Sequence, residues 1–392
     1  MTKPQSALLF PLLLVFYEIA TYLSNDMYLP ALPQMMRELH LDDKQAQLTL
    51  TMWFLGQASM PLLIGAISDR FGRRPVLLIG GIFYVLATLA CALSFNASSL
   101  LLARLIEGGM VASMLVPGYA CIHELYDQKE AIRILAFMGS ISVLAPAFGP
   151  LLGSLILYIT HWRGIFWIIA VCAAIVLILL AKWMPETLPS EKRHPIQLSS
   201  LFTHYWRVIT NKKFMLLIMV IGFEFAGFLA WVTAGPLLVI EDFHYSPLAF
   251  GFIQAAVFIA YILGNRVVKY VLNWFDIHLV VHLGLSIALI GGLLGLGLAL
   301  CFPTSLFPFL AALMLYSFGS ALCFSPLNRL IIETSTEPMG VRVSIFAVFM
   351  TSFAALGSGM SSLFFNGSLV SLASLIAIVI SIACLMKIAV RS

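Results

Sequence analysis

The sequence predicts an all-α integral membrane protein, with twelve transmembrane helices in two pseudo-symmetric six-helix bundles. Three observations carry this prediction. Hydrophobic residues fill 61% of the 392 positions and charged residues only 10%, against roughly 25% charged in a soluble domain. Apolar runs of the length needed to span a bilayer, about 20 residues, recur along the whole chain. One polar break, 184–213, is much longer than the rest and separates six runs from six.

The runs fall at 8–32, 46–68, 76–95, 98–121, 134–158 and 163–183, then at 214–240, 248–270, 279–301, 306–328, 342–364 and 368–390. The first is no cleaved signal: a single cation, Lys3, precedes it, it contains two acids, and no A-x-A site follows. Charged or Gly-containing breaks close the next runs, as at 69–74, 127–133 and 366–368. The domain reading is a six-helix bundle over 1–183, a cytoplasmic linker over 184–213 and a second six-helix bundle over 214–392. Cations orient the whole. With the N-terminus inside, the inner loops and ends hold Lys3, Arg70, Arg73, Arg74, Lys129, Arg133, the linker cluster, Arg266, Lys269, Arg329, Arg342, Lys387 and Arg391. The outer loops hold only Arg37, Lys44 and Arg163. Both termini are therefore expected in the cytoplasm, and the expected location is a bacterial inner membrane.

Composition also excludes function classes. The six cysteines sit in or beside apolar runs with no C-x-x-C, and read as small packing residues. The eight histidines are scattered, without H-E-x-x-H or H-x4-D spacing, so a membrane-embedded enzyme lacks its catalytic cluster. No enzyme activity, metal, cofactor or nucleic-acid partner is expected.

Chemistry concentrates in the first run. Glu18 and Asp26 lie within it, and an ionisable group in hydrocarbon costs at least a few kcal/mol unless it faces a protein interior or wet cavity. Glu18, Tyr22, Asn25 and Asp26 fall within an arc of about 100° on a helix, forming one polar stripe. In the fourth run Arg104 is followed at i+3 by Glu107, a spacing that permits local neutralisation. Asp26 and Arg104 each lie about 9 Å from the outer ends of their helices, so the two are expected at one level. Glu18 and Glu224 are each on the order of 15 Å from the inner ends of the first and seventh helices, and are expected to face one another. Trp53, Met138, Trp231 and Tyr261, with Tyr22 and Asn25, supply aromatic and sulfur surface suited to adaptable apolar binding.

Two further strings carry shape. Gly65, Asp69, Arg70, Gly72, Arg73 and Arg74 fall in the order G-x-x-x-D-R-x-G-R-R, and Gly72 permits a tight turn. In the fifth run Gly149 and Gly153 make a small-xxx-small face, and Pro150 permits a bend.

The first string resembles the signature of the major facilitator superfamily at every defined position, and six plus six helices about a long loop is that family's layout. The resemblance implies two bundles that rock about a midplane site, latched on the inner side by Asp69, Arg70, Arg73 and Arg74. Gly149-Pro150-x-x-Gly153-Ser154 is similar to the antiporter signature G-P-x-x-G-G, with Ser in the last place. Arg104-x-x-Glu107-Gly108 is similar to R-x-x-Q-G, with Glu for Gln. The first helix looks like that of the MdfA-type multidrug/proton antiporters, as do Pro117-Gly118-Tyr119, Met184–Thr187, Leu229–Trp231 and Tyr316–Gly319. This implies that Glu18 and Asp26 bind protons and substrate alternately, with Arg104 tuning Asp26. Glu107 and Glu224 depart from the pattern.

The expected function is proton-coupled export of lipophilic or cationic small molecules, with protons as coupling ion and a monomer in the lipid bilayer as the working unit. The alternative is a proton-coupled carrier of one dedicated metabolite, such as a siderophore.

Overall fold

The structure is a computed structural model that describes residues 6–189, 191, 198–337 and 339–389. The linker reading lies outside the described residues at 190 and 192–197, as do Lys3 and Arg391 from the cation reading. The described residues are helical throughout, with no strand. In chain order the helices are α1 (Ser6–Asp26), α2 (Leu32–Leu39), α3 (Asp43–Ser59), α4 (Pro61–Phe71), α5 (Arg73–Ala92), α6 (Ala97–Leu125), α7 (Gln128–Ile156) and α8 (Trp162–Trp183). They continue as α9 (Leu198–Ile209), α10 (Lys212–Leu237), α11 (Pro247–Val271), α12 (Ile277–Cys301), α13 (Leu306–Glu333), α14 (Met339–Phe364) and α15 (Leu369–Ala389). Among the described residues nine helices are long and apolar enough to cross a membrane, or ten if α3 and α4 form one bent span. Helices α1 and α7, of 21 and 29 residues, stand outside that count.

Three local departures from the sequence reading have plain causes. The first run was expected to reach residue 32, but α1 stops at Asp26. Beyond it Pro30 and Pro33, which offer no backbone N–H, shape a 3-10 turn at Leu29–Ala31 and the start of α2. Helix α2 is tied to the start of α8: Gln34 accepts from the Trp162 backbone N–H at 3.0 Å, and Glu38 accepts from Trp162 Nε1 at 2.5 Å and pairs with Arg163. The second run bends by 43° between α3 and α4, where Pro61 removes a helical donor. The linker, read as a charged loop, contains α9. His204 Nδ1 lies 2.5 Å from Glu337 Oε2, and Arg207 Nη1 donates to Glu337 Oε1 at 3.5 Å. Asn211 caps α10 through the Phe214 N–H and donates to the Thr334 carbonyl at 3.0 Å.

By packing the chain divides into two units, Met1–Leu41 with Met52–Leu198, and Asp42–Thr51 with Ser199–Ser392. The short stretch 42–51 joins the second unit through polar contacts: Thr51 Oγ1 lies 2.8 Å from Ser358 Oγ, and Ser361 Oγ donates to Gln47 Oε1 at 2.7 Å.

In lipid no hydrophobic force draws apolar helices together, so close approach at small residues carries the packing. The first unit uses this at α7. A Cβ at Gly149 would stand 2.6 Å from the Cβ of Asp26, and one at Gly153 would collide with the Met27 carbonyl oxygen. Gly149 and Gly153 therefore seat the end of α1 against α7. Gly108 lets α6 meet the Trp53 backbone in the same way. Gly72 has φ 103°, the left-handed half of backbone space where a side chain is strained, and forms the corner between α4 and α5.

Two predictions follow from these contacts. Gly149→Ala is expected to cost about 1–3 kcal/mol by overpacking and to lower the thermal midpoint in detergent, whereas Gly297→Ala, with nothing within 4 Å of its Cβ, leaves it unchanged. Equal midpoints for both variants would contradict the close seat of α1. The hydrogen bond from His204, reinforced by the neighbouring Arg207 charge, holds the Glu337 carboxyl below the usual glutamate range. A depressed acid contributes its stabilisation above its ordinary pKa, about 4.3, and loses it as pH falls through the depressed value. The protection factors of the α9 amides, with the intrinsic exchange rate at each pH divided out, should therefore be high and constant above pH ~5 and fall only in the acid range. Loss of protection on raising the pH instead would contradict the Glu337 contact.

Candidate functional site

A buried polar cluster of the first unit joins α1, α5 and α6. Arg104 and Glu107 on α6 are both fully buried and paired at 2.5 Å through Nη1 and Oε2. The same Nη1 donates to the Ser24 carbonyl at 3.1 Å, and Nη2 donates to Asn25 Oδ1 at 3.2 Å. The guanidinium lies over the Tyr28 ring, 4.5 Å from its centroid, with the Trp53 and Phe166 rings each at 6.0 Å. Glu107 accepts from Thr88 Oγ1 at 2.9 Å and from Cys91 Sγ at 3.7 Å. Cys91, read from sequence as packing, is thus also a donor to a carboxylate.

Asp26 is 3% exposed. The sequence places it level with Arg104, and in the structure Asn25 stands between them: its Oδ1 takes Arg104, and its Nδ2 points to Asp26 Oδ1 at 3.4 Å. The cluster therefore holds one cation and two carboxyls, with the cation bonded to Glu107.

Two turns earlier on α1, Glu18 is fully buried and accepts from Tyr119 Oη of α6 at 3.0 Å. Tyr17 beside it packs edge-on against Tyr84, centroids 5.8 Å apart. Tyr22 is half-buried. Trp53 and Met138, read as pocket surface, are both buried in the hydrophobic core of this unit with Tyr17, Tyr84 and Met114.

The second unit carries its own buried acid. Glu224 on α10 is 1% exposed, and its Oε2 has no hydrogen-bond partner. Tyr316 Oη of α13 donates to the Glu224 backbone carbonyl at 2.5 Å, fixing the helix beside it. One turn or more above, Trp231 is buried and its Nε1 donates to Gln254 Oε1 of α11 at 2.8 Å. Tyr261 is half-buried and stacks on Phe228, centroids 5.5 Å apart.

At the end of the first unit that the cation bias assigns to the cytoplasm, Arg73 binds Asp69 at 2.5 Å and Glu124 at 3.1 Å. Glu186 accepts from the backbone N–H of Arg73 at 3.0 Å and of Arg74 at 3.3 Å, occupying the start of α5 where an anion meets the helix dipole favourably. Thr187 donates to Glu124, and Arg74 Nη2 donates to the Ala181 carbonyl at 2.6 Å. Arg70 is exposed and lies over Phe71, 5.3 Å from the centroid.

Sequence reasoning missed Tyr28, Thr88, Tyr119, Glu124, Glu186, Gln254 and Tyr316 as members of these networks. Some carried a signal: Tyr119, Glu186 and Tyr316 lie in the short strings that resemble the family. Thr88, Glu124 and Gln254 carried none, because a hydroxyl, amide or acid near a helix end is ordinary until its neighbour in space is known.

The family model described as Major Facilitator Superfamily matches residues 14–362. The multidrug transporter MdfA of Edwardsiella ictaluri is 31% identical over 335 residues, covering 85% of this chain and 81% of that one. The chloramphenicol resistance protein CraA of Acinetobacter baumannii is 30% identical over 354 residues, covering 90% and 85%. Among solved structures, a bacterial homologue of the human lysosomal transporter Spinster superposes with a TM-score of 0.75 at 15% identity, over 100% of this chain and 96% of that one. The D-xylose–proton symporter superposes with a TM-score of 0.73 at 16% identity, over 96% of each. The two structures share the fold. With the family model spanning most of the sequence, the chain belongs to the Major Facilitator Superfamily and is a multi-pass membrane transporter rather than an enzyme.

Proposed function

We propose that this chain is a proton-driven exporter of lipophilic or cationic small molecules, working as a monomer in a bacterial inner membrane with both termini in the cytoplasm. The observation that carries the reading is the charge count around Arg104. One arginine serves two buried carboxyls, and its short bond goes to Glu107. Were both acids ionised, the cluster would keep a net negative charge inside the protein, which is costly away from water. Asp26 is thus stable either protonated or facing a positive group brought by a substrate. That is the exchange an antiporter needs, and the names of the relatives, multidrug transporter and chloramphenicol resistance protein, support the choice of cargo.

In the proposed cycle a substrate from inside enters while Asp26 and Glu18 give up a proton between them. Protons from outside then reload the acids and release the cargo. Arg104, held by Glu107, tunes Asp26 through the Asn25 amide. Tyr119 orients Glu18. Tyr22 and Asn25 of the first unit, and Trp231 and Tyr261 of the second, are assigned as adaptable substrate-contacting surface, with Trp53 and Met138 packed in the core of the first unit. Asp69, Arg70, Gly72, Arg73 and Arg74, with Gly149, Pro150 and Gly153, shape the moving joints. Each net positive charge carried inward across 100 mV supplies about 2.3 kcal/mol, or roughly a fiftyfold substrate gradient.

The test is proton release from purified protein in weakly buffered detergent solution, on adding the lipophilic cation tetraphenylphosphonium. Wild type is expected to release protons, and the Glu18→Gln/Asp26→Asn variant to release none. Undiminished release from that variant would refute the assignment. Glu224, buried with one oxygen unbonded, is expected to act as a further protonatable group. Glu224→Gln should then reduce the protons released per bound probe while leaving binding in place, and an unchanged count removes Glu224 from the coupling set.

A further inference from the structure

The second unit holds a buried amide whose donors are unused. Gln254 of α11 is 1% exposed, and its Oε1 accepts from Trp231 Nε1 of α10 at 2.8 Å. An indole N–H can only donate, so this bond fixes which way the amide lies, with its oxygen toward Trp231 and Nε2 turned away. Among the described residues Nε2 has no hydrogen-bond partner. Donors held in a packed interior with nothing to accept them are costly, and the hydrocarbon of a bilayer supplies no water to relieve them. Holding Trp231 in place calls only for an acceptor. The amide adds two N–H donors that this task does not use.

The residues beside it form a ladder. Glu224, Phe228 and Trp231 recur at i, i+4 and i+7 on α10, and Gln254, Phe258 and Tyr261 do so on α11, so each set lies along one helix face. The two sets meet in opposite order. Trp231 bonds Gln254, and the Phe228 ring packs on those of Phe258 and Tyr261, with centroids 5.0 and 5.5 Å apart. Glu224 stands one turn further from Trp231 on the same face, a rise of about 10 Å in all. The seam therefore has a carboxyl at one end, an amide donor at the other and aromatic rings between them. Rings suit a flat apolar body, the carboxyl suits a positive centre, and the amide N–H suits an oxygen.

We propose that Gln254 is a specificity-determining residue of transport, whose Nε2 donates to an acceptor oxygen of the cargo, with Trp231 as the residue that positions the amide. The oxygen it selects, of a carbonyl, nitro or ether group, lies about 10 Å along the seam from the part of the cargo beside Glu224. The inference rests on the export reading for its class of cargo, lipophilic or cationic small molecules, and adds a selection among them. Gln254 is neutral, so it selects by hydrogen bonding and not by charge.

Equilibrium binding to the purified protein tests this with two probes of equal charge and chain length, hexyltriphenylphosphonium and the ketone (5-oxohexyl)triphenylphosphonium. Gln254→Met keeps the length of the side chain and removes its donors. It should weaken binding of the ketone about fivefold and leave the hexyl probe unchanged. Gln254→Ala should change the ratio between the two probes by the same factor. An amide that served packing alone would move both probes together, and equal changes for the two overturn the proposal while the export reading stands. Failure of wild type to bind either probe removes the cargo class instead, and the proposal with it. Should neither variant bind the hexyl probe, the infrared carbonyl stretch of isotope-labelled ketone bound to wild type decides. A hydrogen-bonded frequency supports the contact with Gln254, and the frequency of the ketone in hexane overturns it.

Discussion

The buried pair of Arg104 and Glu107 is the constraint from which the first unit is built. An arginine at this depth costs at least about 2.5–3.5 kcal/mol if it stands alone, and a buried ion pair offsets its own desolvation only when its remaining hydrogen bonds are made. Here they are made from two sides. Ser24 and Asn25 of α1 receive the guanidinium, and Thr88 and Cys91 of α5 supply the carboxylate. Three helices are held in register by one charge. The consequence for Asp26 is that the nearest cation has its shortest bond elsewhere, and only an amide links the two groups.

That amide sits where α1 runs out of helix. Asp26 is the last residue of α1, and its Cβ lies at the Gly149 surface of α7, with the Met27 carbonyl against Gly153. A change of ionisation at Asp26 therefore acts on a packed backbone junction, not on a loose side chain. Glu18 differs. It lies two turns inside the helix and meets Tyr119, a neutral donor on a different face of the site. Two acids on one stripe thus have two distinct mechanical surroundings, one at a helix end packed on glycines and one mid-helix beside a phenol.

How far the sequence reached depends on whether a feature is local. The helices were legible because a run of some 20 apolar residues has one outcome in a bilayer. The i,i+3 spacing of Arg104 and Glu107 is likewise local, and the structure contains the ion pair that this spacing permits. The end of α1 was misjudged because Met27 to Leu32 remains apolar, so hydropathy carried the run past the residue where Pro30 and Pro33 redirect the chain. Helix α9 was hidden by the charges around it. The partners of the acids, Thr88 and Tyr119, and the Tyr316 that bonds the Glu224 backbone carbonyl, come from other helices, and no periodicity on one helix reports which face of another it meets.

The distribution of unspent charge orders the rest. At the α4–α5 corner the arginines that orient the chain are also bonded inward, Arg73 to Asp69 and Glu124, and the α5 terminus to Glu186. These charges are satisfied within the unit, so they set shape there rather than bind a visitor. Asp26 and Glu224 are the opposite case, acids in the spans with neutral groups as their hydrogen-bonding neighbours. A protein in a bilayer keeps a charge imbalance only where something from outside completes it, because neither lipid nor a packed interior will. On the proposed reading, a proton or a cationic cargo is what completes the acids in the spans.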